Sequence, residues 1–144
     1  MQEIPLDPFT DGTNPPSDLP LFQTLKMLKE ASKITGRNFS AEAHSFKDQM
    51  REAGFVDIEE SRIKIPLGPW HADATQKEIG RYNMLCCLEG IEAYTLALFT
   101  RVLEMSVEEV QTLLTKTHKD IRNKKLRIYF WLIVVRGRKP TNAC

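Results

Sequence analysis

The chain has 144 residues, of which 42% are hydrophobic and 27% charged, and its formal net charge is +1. This length predicts one domain, and the even charge balance argues against a nucleic-acid-binding protein. No apolar run approaches the roughly 20 residues of a membrane span. The three cysteines and three histidines show no disulfide or zinc-site spacing, so we expect a cytoplasmic protein with no metal, nucleic-acid or membrane partner.

The first part of the chain predicts a strand, a loop and two helices. Met1–Leu6 reads as the end of a strand, and residues 7–20 are rich in Pro, Asp and Gly, which predicts a long loop. Asp18 is placed to cap a helix that ends at Gly36, and Ser40 to cap a second helix that ends at Gly54. Two helices therefore follow the first strand.

The second part predicts two strands separated by two long helices. Phe55–Ile65 alternates as a half-buried strand does, and Leu126–Val135 is a continuous apolar run typical of a central strand. Glu78–Leu103 has apolar residues on almost every side, which predicts a helix buried all round. Ser106 and Glu109 form the capping box of a further helix.

Polar residues interrupt the long helix. Tyr82, Cys86 and Glu89 fall on one stripe at helical spacing, which continues to Thr100. Because a buried carboxylate needs a partner or takes up a proton, Glu89 is expected either to meet an Arg or to line a cavity.

Several segments in order carry a resemblance to a known family. They read MQEIPLDPFTDGT, MREAGFVDIEE, KIPLGPW, KEIGRYN, LALFTRV and VVRGRKP. Together they resemble the C-terminal half of a fungal class I S-adenosylmethionine-dependent methyltransferase, of the group associated with secondary metabolism. The resemblance covers nearly the whole chain.

The resemblance implies an α/β fold: a truncated, half-Rossmann sheet of about three strands with long helices, completed by dimerisation. Residues 1–140 would form one half-domain, and residues 141–144 a frayed tail. The three strands would be the fifth, sixth and seventh of the family sheet, with the last running antiparallel between the other two. The helices between Asp73 and Lys125 would cover the substrate pocket.

The family holds its cofactor with a glycine-rich loop and an acidic residue that belong to the other half. None of the seven glycines here forms a G-x-G cluster, so we expect this chain to bind no cofactor. It would be either a fragment or a natural half-domain. The exposed edge of its first strand would pair with a second copy in a homodimer, or with a methyltransferase N-terminal half.

The resemblance also nominates site residues. The expected catalytic residues are His71, Tyr82 and Glu89, and the expected substrate-binding residues are Asp7, Phe9, Trp70, Cys86, Glu92 and Arg101. Each has a structural alternative: His71 as an exposed loop residue, Trp70 as a core plug and Cys86 as a small apolar side chain.

Two functions remain open on the sequence. The first is a cofactor-independent enzyme of fungal natural-product biosynthesis, which binds a small hydrophobic substrate and promotes a cyclisation, isomerisation or pericyclic step. The alternative is a non-catalytic half that completes or modulates a S-adenosylmethionine-dependent methyltransferase in trans, or a fragment of one. We expect the enzyme.

Overall fold

A computed structural model of the chain describes residues 1–12, 18–37 and 45–141. The predicted helix cap at Ser40 and the tail after residue 141 lie outside these ranges. The described elements are β1 (Gln2–Glu3), β2 (Phe9–Thr10), α1 (Pro20–Ile34), α2 (Ser45–Glu52), β3 (Val56–Pro66), α3 (Ala74–Arg101), α4 (Val107–Arg122), a 3₁₀ turn (Lys124–Leu126) and β4 (Ile128–Arg138).

The sheet is organised around β4. Ile133 pairs with Glu3 of β1 on one side and with Arg62 of β3 on the other, and all of these pairings are antiparallel. The predicted placement of the last strand between the other two is therefore confirmed. The predicted number of strands is too low, because Phe9 and Thr10 form a short extra strand against Tyr129 and Ile128 where the sequence predicted only loop.

Helices cover both faces of the sheet. Ile128 and Phe130 of β4 lie in a core cluster with α1, α3 and α4, whereas Ile133 and Val135 pack with Phe46 of α2. Because alternate residues of a strand face opposite sides, α1, α3 and α4 lie on one face of the sheet and α2 lies on the other. The expected central strand, buried on both faces, is confirmed.

The predicted N-terminal cap is present in α4 and absent in α1. Ser106 and Glu109 form the predicted capping box of α4, with hydrogen bonds of 3.2 and 2.8 Å. Asp18 does not cap α1. Instead the carboxylate of Asp120, on α4, accepts a hydrogen bond of 3.0 Å from the backbone N–H of Leu21, so a distant helix satisfies this terminus.

The long helix α3 is buried on one side only, so the prediction of all-round burial is wrong. Ile91, Thr95 and Phe99 face the core, along with Gly80. The opposite side faces solvent, and we call it the outer stripe of α3; its exposed residues are Tyr82, Leu85, Cys86, Glu89, Ala93, Leu96 and Ala97. Apolar residues occur on both sides of α3, which is why the sequence predicted burial all round, but no described element covers the outer stripe.

A glycine-to-glycine contact joins α3 to the end of β3. The N–H of Gly68 donates a 2.9 Å hydrogen bond to the carbonyl of Gly80, and Gly68 has a positive φ of 92°. A Cβ on Gly80 would lie 2.2 Å from the carbonyl oxygen of Gly68, closer than any real contact. The two backbones can approach this closely because Gly80 has no side chain, and Gly68 adopts its positive φ without strain.

This contact predicts opposite effects for two glycines of one helix. Gly80→Ala should lower the free energy of unfolding by about 2 kcal/mol or more, because backbone must move to admit the methyl group. Gly90→Ala should raise it by up to about 1 kcal/mol, because its Cβ meets only Tyr94 at 3.6 Å. Urea unfolding followed by circular dichroism measures both, and equal effects would contradict the assigned contact.

Candidate functional site

An apolar cavity of about 550 Å³ lies between α1, α3 and the segment that follows β1. Its floor is made of buried aliphatic and aromatic side chains, and its mouth of exposed ones. The lining residues are Glu3, Ile4, Leu6, Leu21, Leu25, Leu28, Leu67, Cys86, Cys87, Gly90, Ile91, Tyr94, Ile121 and Phe130. Its volume is in the range of small-molecule sites.

The cavity lies beyond the carboxyl ends of two strands. Ile4 and Leu6 come directly after β1, and Leu67 comes directly after β3. The spacing of leucines on α1 produces the floor, since Leu21, Leu25 and Leu28 share one face of that helix. In α/β proteins this edge of the sheet is where ligands bind.

The cavity offers little chemistry beyond apolar contact. Glu3 is the one charged residue among those that line it, and its pairing with Ile133 turns its side chain toward the α2 face of the sheet. Burial, and secondarily the neighbouring Cys86, raises the pKa of the Cys87 thiol to about 11, so this thiol is protonated near neutral pH. The arrangement is suited to holding a hydrophobic molecule, and its lining contains no evident general base.

A second group of side chains, the Asp11 cluster, fixes the loop after β2 to the sheet. Asp11 accepts hydrogen bonds from Lys64 at 2.9 Å and from Arg127 at 2.8 Å. Lys64 also lies 4.1 Å from the centre of the Tyr129 ring, and Arg127 lies 5.4 Å from the centre of the Trp70 ring. The hydrogen bond from Lys64, with the nearby positive charges, lowers the pKa of Asp11 below its usual value near 3.8.

Trp70 and His71 lie beside this cluster and not in the cavity. The indole N–H of Trp70 donates to the carbonyl of Ile128 at 2.8 Å, as expected of a residue that plugs the junction between β4 and the loop before α3. His71 accepts a 3.1 Å hydrogen bond from the backbone N–H of Asp73. These contacts favour a structural role for both residues, and His71 is half-buried in the loop, not exposed as its alternative had it.

The other predicted site residues are dispersed. Phe9 stacks on Tyr129 with ring centres 5.6 Å apart, and Asp7 forms an ion pair with Lys29 of α1. Tyr82, Glu89, Glu92 and Arg101 are exposed on α3. The expectation that Glu89 is buried, against an Arg or in a cavity, is wrong, because its side of α3 is uncovered.

Of the nine predicted site residues, Cys86 alone lines the cavity. Roles for the others in binding or catalysis stay predictions that their positions outside the cavity do not favour. The sequence pointed to none of the α1 leucines or Glu3. The leucine stripe of α1 was visible, but nothing in it separates a cavity wall from ordinary core.

In residues 1–12, 18–37 and 45–141, no group of three or more His, Cys, Asp or Glu side chains is placed to hold a metal ion. Within the same part of the chain, no helix is long and apolar enough to cross a bilayer.

The chain is similar to fungal proteins named as methyltransferases or as regulators of secondary metabolism. No protein-family model and no solved structure matches the chain. The chain is 35% identical to methyltransferase pytC of Aspergillus terreus, over 90% of this chain and 40% of that protein. It is 28% identical to secondary metabolism regulator laeA of Aspergillus flavus, over 97% of this chain and 38% of that protein. It is 34% identical to protein-methionine methyltransferase laeA of Emericella nidulans, over 78% of this chain and 30% of that protein.

The chain is a relative of the fungal secondary-metabolism methyltransferases. The resemblance predicted from the sequence is thereby confirmed. The chain spans about two fifths or less of the length of these methyltransferase relatives, which agrees with the predicted C-terminal half.

The relatives overturn the expected function. A cofactor-independent enzyme for cyclisation, isomerisation or a pericyclic step is wrong as a prediction, because the relatives are named methyltransferases and regulators of secondary metabolism. The alternative, a half of a methyltransferase, fits better.

The Asp11 cluster predicts a pH-dependent stability term. Asp11→Asn should lower the free energy of unfolding at pH 7 by up to about 1 kcal/mol, the range of partly exposed ion pairs. Because the folded-state pKa is lowered, this contribution is full above the unfolded-state value of about 3.9 and is lost as the pH falls through the folded-state value. Urea titrations from pH 7 to pH 3 measure it. Asp48→Asn, at an exposed pair with Arg51, is the control, and a loss that is equal at every pH would contradict the assignment.

The two neighbouring thiols should react at different rates. In variants in which Cys144 is replaced by Ser and only one of the two thiols is retained, iodoacetamide should modify Cys86, which is exposed, at least about tenfold faster at pH 8 than Cys87. The Cys87 rate should keep rising toward pH 11, since its pKa is about 11. Intact mass spectrometry follows both reactions. Equal rates at pH 8 would show that Cys87 is not buried as described.

Proposed function

We propose that this chain is the acceptor-binding part of a fungal secondary-metabolism methyltransferase. Its role is to hold a small hydrophobic methyl acceptor, while a cofactor-binding region supplied by other residues holds S-adenosylmethionine. The single observation that carries the proposal is the apolar cavity beyond the carboxyl ends of β1 and β3. Its position supports ligand binding, and the relatives of the chain support methyl transfer as the reaction.

The described residues do not fit the cofactor. Gly12, Gly36, Gly54 and Gly68 each occupy a single turn with positive φ, and none belongs to a glycine-rich loop in front of a helix. None of the residues that line the cavity is positively charged, so the cavity offers no partner for the carboxylate of the cofactor. The chain by itself is therefore proposed to bind no S-adenosylmethionine and to catalyse no methyl transfer.

The outer surface of the chain supports an association with that missing region. The outer stripe of α3 carries exposed Tyr82, Leu85 and Leu96, and exposed apolar patches of this kind mark contact surfaces. It adjoins the cavity, since Cys86 belongs to both. More than half of each relative lies outside the matched length, and we assign the stripe to contacts with that part of the fold.

The edge of β1 is the second part of the proposed contact surface. β1 pairs with β4 along one side, and no described strand pairs along its other side. A strand of the cofactor-binding region would satisfy these backbone groups. Pairing of two copies of this chain through the same edge, the predicted homodimer, is the competing arrangement and stays a prediction.

Co-expression with the unmatched part of the Aspergillus terreus relative tests the proposal. The expected result is a one-to-one complex that binds S-adenosylmethionine in calorimetry, whereas the chain alone gives no heat. Leu85→Glu should weaken the complex about tenfold or more, because it places a charge in the apolar stripe. Ile34→Glu, at a residue that is 69% exposed on α1, is the matched control.

Two outcomes would count against this function. Cofactor binding by the chain alone would overturn the division into two regions. Equal effects of Leu85→Glu and Ile34→Glu would remove the outer stripe from the contact surface.

Analytical ultracentrifugation of the chain alone tests the predicted homodimer. A monomer at micromolar concentration contradicts the homodimer, and a stable dimer favours pairing of two copies.

A further inference from the structure

The interior of α3 contains a glycine that packing among the described residues does not require. Glycine is one of the least favourable residues inside a helix, because it loses the most backbone freedom on folding. Gly80 is explained by its contact, since a Cβ there would lie 2.2 Å from the carbonyl oxygen of Gly68. At Gly90, by contrast, a Cβ would meet only the ring of Tyr94 among the described residues, at an ordinary distance of 3.6 Å. The presence of Gly90 therefore needs another explanation.

Gly90 lies at the centre of the wall that α3 contributes to the cavity. The α3 residues that line the cavity are Cys86, Cys87, Gly90, Ile91 and Tyr94. Their spacing along the helix places them on one face. The two cysteines lie one turn before Gly90 and Tyr94 lies one turn after it, so a side chain at position 90 would project from the middle of this wall. It would occupy part of the cavity.

The space beside Gly90 is apolar and offers no partner for a charge. Three leucines of α1 line the cavity together with the α3 residues, and none of the lining residues is positively charged. Glu3 turns its side chain toward the α2 face of the sheet. Burial raises the pKa of the Cys87 thiol to about 11, so this group is neutral near pH 7. A charged group of a ligand would lose its hydration here without gaining a partner.

We propose that Gly90 is a specificity-determining residue of the acceptor cavity. A broad, uncharged ring system of the acceptor lies between the leucines of α1 and the α3 backbone at Gly90, in the space that a side chain would fill. The missing side chain widens the cavity at a cost to the stability of the helix, a trade that is common at binding sites. The inference rests on the proposed function, since it concerns the same cavity, and it adds the class of acceptor and the residue that selects it.

Two uncharged fluorescent alcohols of different ring size, naphthalenemethanol and pyrenemethanol, test the proposal. Fluorescence titration of the whole chain should show binding of both. Gly90→Leu should weaken pyrenemethanol about tenfold or more, because the leucine fills space that the larger ring system needs, and should change naphthalenemethanol by less than about twofold. Gly90→Ala should cause a smaller loss for pyrenemethanol and raise the midpoint of urea unfolding, so that binding and stability change in opposite directions.

Matched variants locate the effect. Ala93→Leu places a leucine at an exposed position of α3 that does not line the cavity, and should leave both affinities unchanged. Leu96→Glu places a charge on the outer stripe and should also leave both unchanged, because the probes are expected in the cavity and not on that surface. Circular dichroism confirms that each variant is folded.

The outcomes separate this inference from the proposed function. Unchanged binding of pyrenemethanol by Gly90→Leu, or a loss of the same size for both probes, would overturn the role of Gly90 and leave the acceptor cavity standing. The same holds if Ala93→Leu weakens pyrenemethanol as much as Gly90→Leu does, or if Gly90→Ala lowers the urea midpoint. Failure of both probes to bind, or loss of their binding in Leu96→Glu, would overturn the cavity as an acceptor site and the role of Gly90 with it.

Discussion

The contact between Gly68 and Gly80 determines where α3 lies. The 2.9 Å hydrogen bond joins a loop at the carboxyl end of β3 to the first third of the long helix, and the missing side chain of Gly80 allows the backbones to touch. Neighbouring contacts extend the junction, since Leu67 donates a backbone hydrogen bond to Ile128 at 2.8 Å. With α3 fixed at this end, its middle turns stand beside α1 and the segment after β1. The cavity is the space that remains between them.

The same helix serves two environments. Its inner side places Ile91 and Phe99 in the core with α1 and α4, whereas its outer stripe exposes apolar side chains beside Glu89. Apolar helix faces are normally covered in a folded protein. The proposed function assigns the exposed apolar residues of this stripe to contacts with the rest of the methyltransferase fold.

Local patterns in the sequence were sufficient for much of the fold. The capping box at Ser106 and the apolar run of β4 depend on neighbouring residues, and the structure contains both. Contacts between distant segments could not be predicted from these patterns. Asp120 binds the start of α1 from 99 positions away in the chain, and Phe9 pairs with Tyr129 although its own segment has the composition of a loop. Periodicity shows that a residue is apolar, but it does not show whether core, cavity or solvent faces it. For that reason Glu89 was expected to be buried and the leucines of α1 were not assigned to a cavity.

Charge neutralisation separates scaffold residues from candidate binding residues in this fold. Asp11 makes several polar contacts, but Lys64 and Arg127 both donate hydrogen bonds to it. Its negative charge is therefore neutralised by the protein itself. Trp70 is similar, because Arg127 lies over its ring and Ile128 accepts its N–H. The side chains that line the apolar cavity make no such polar network among the described residues. The cavity is therefore a better guide to the binding site here than the number of contacts that a residue makes.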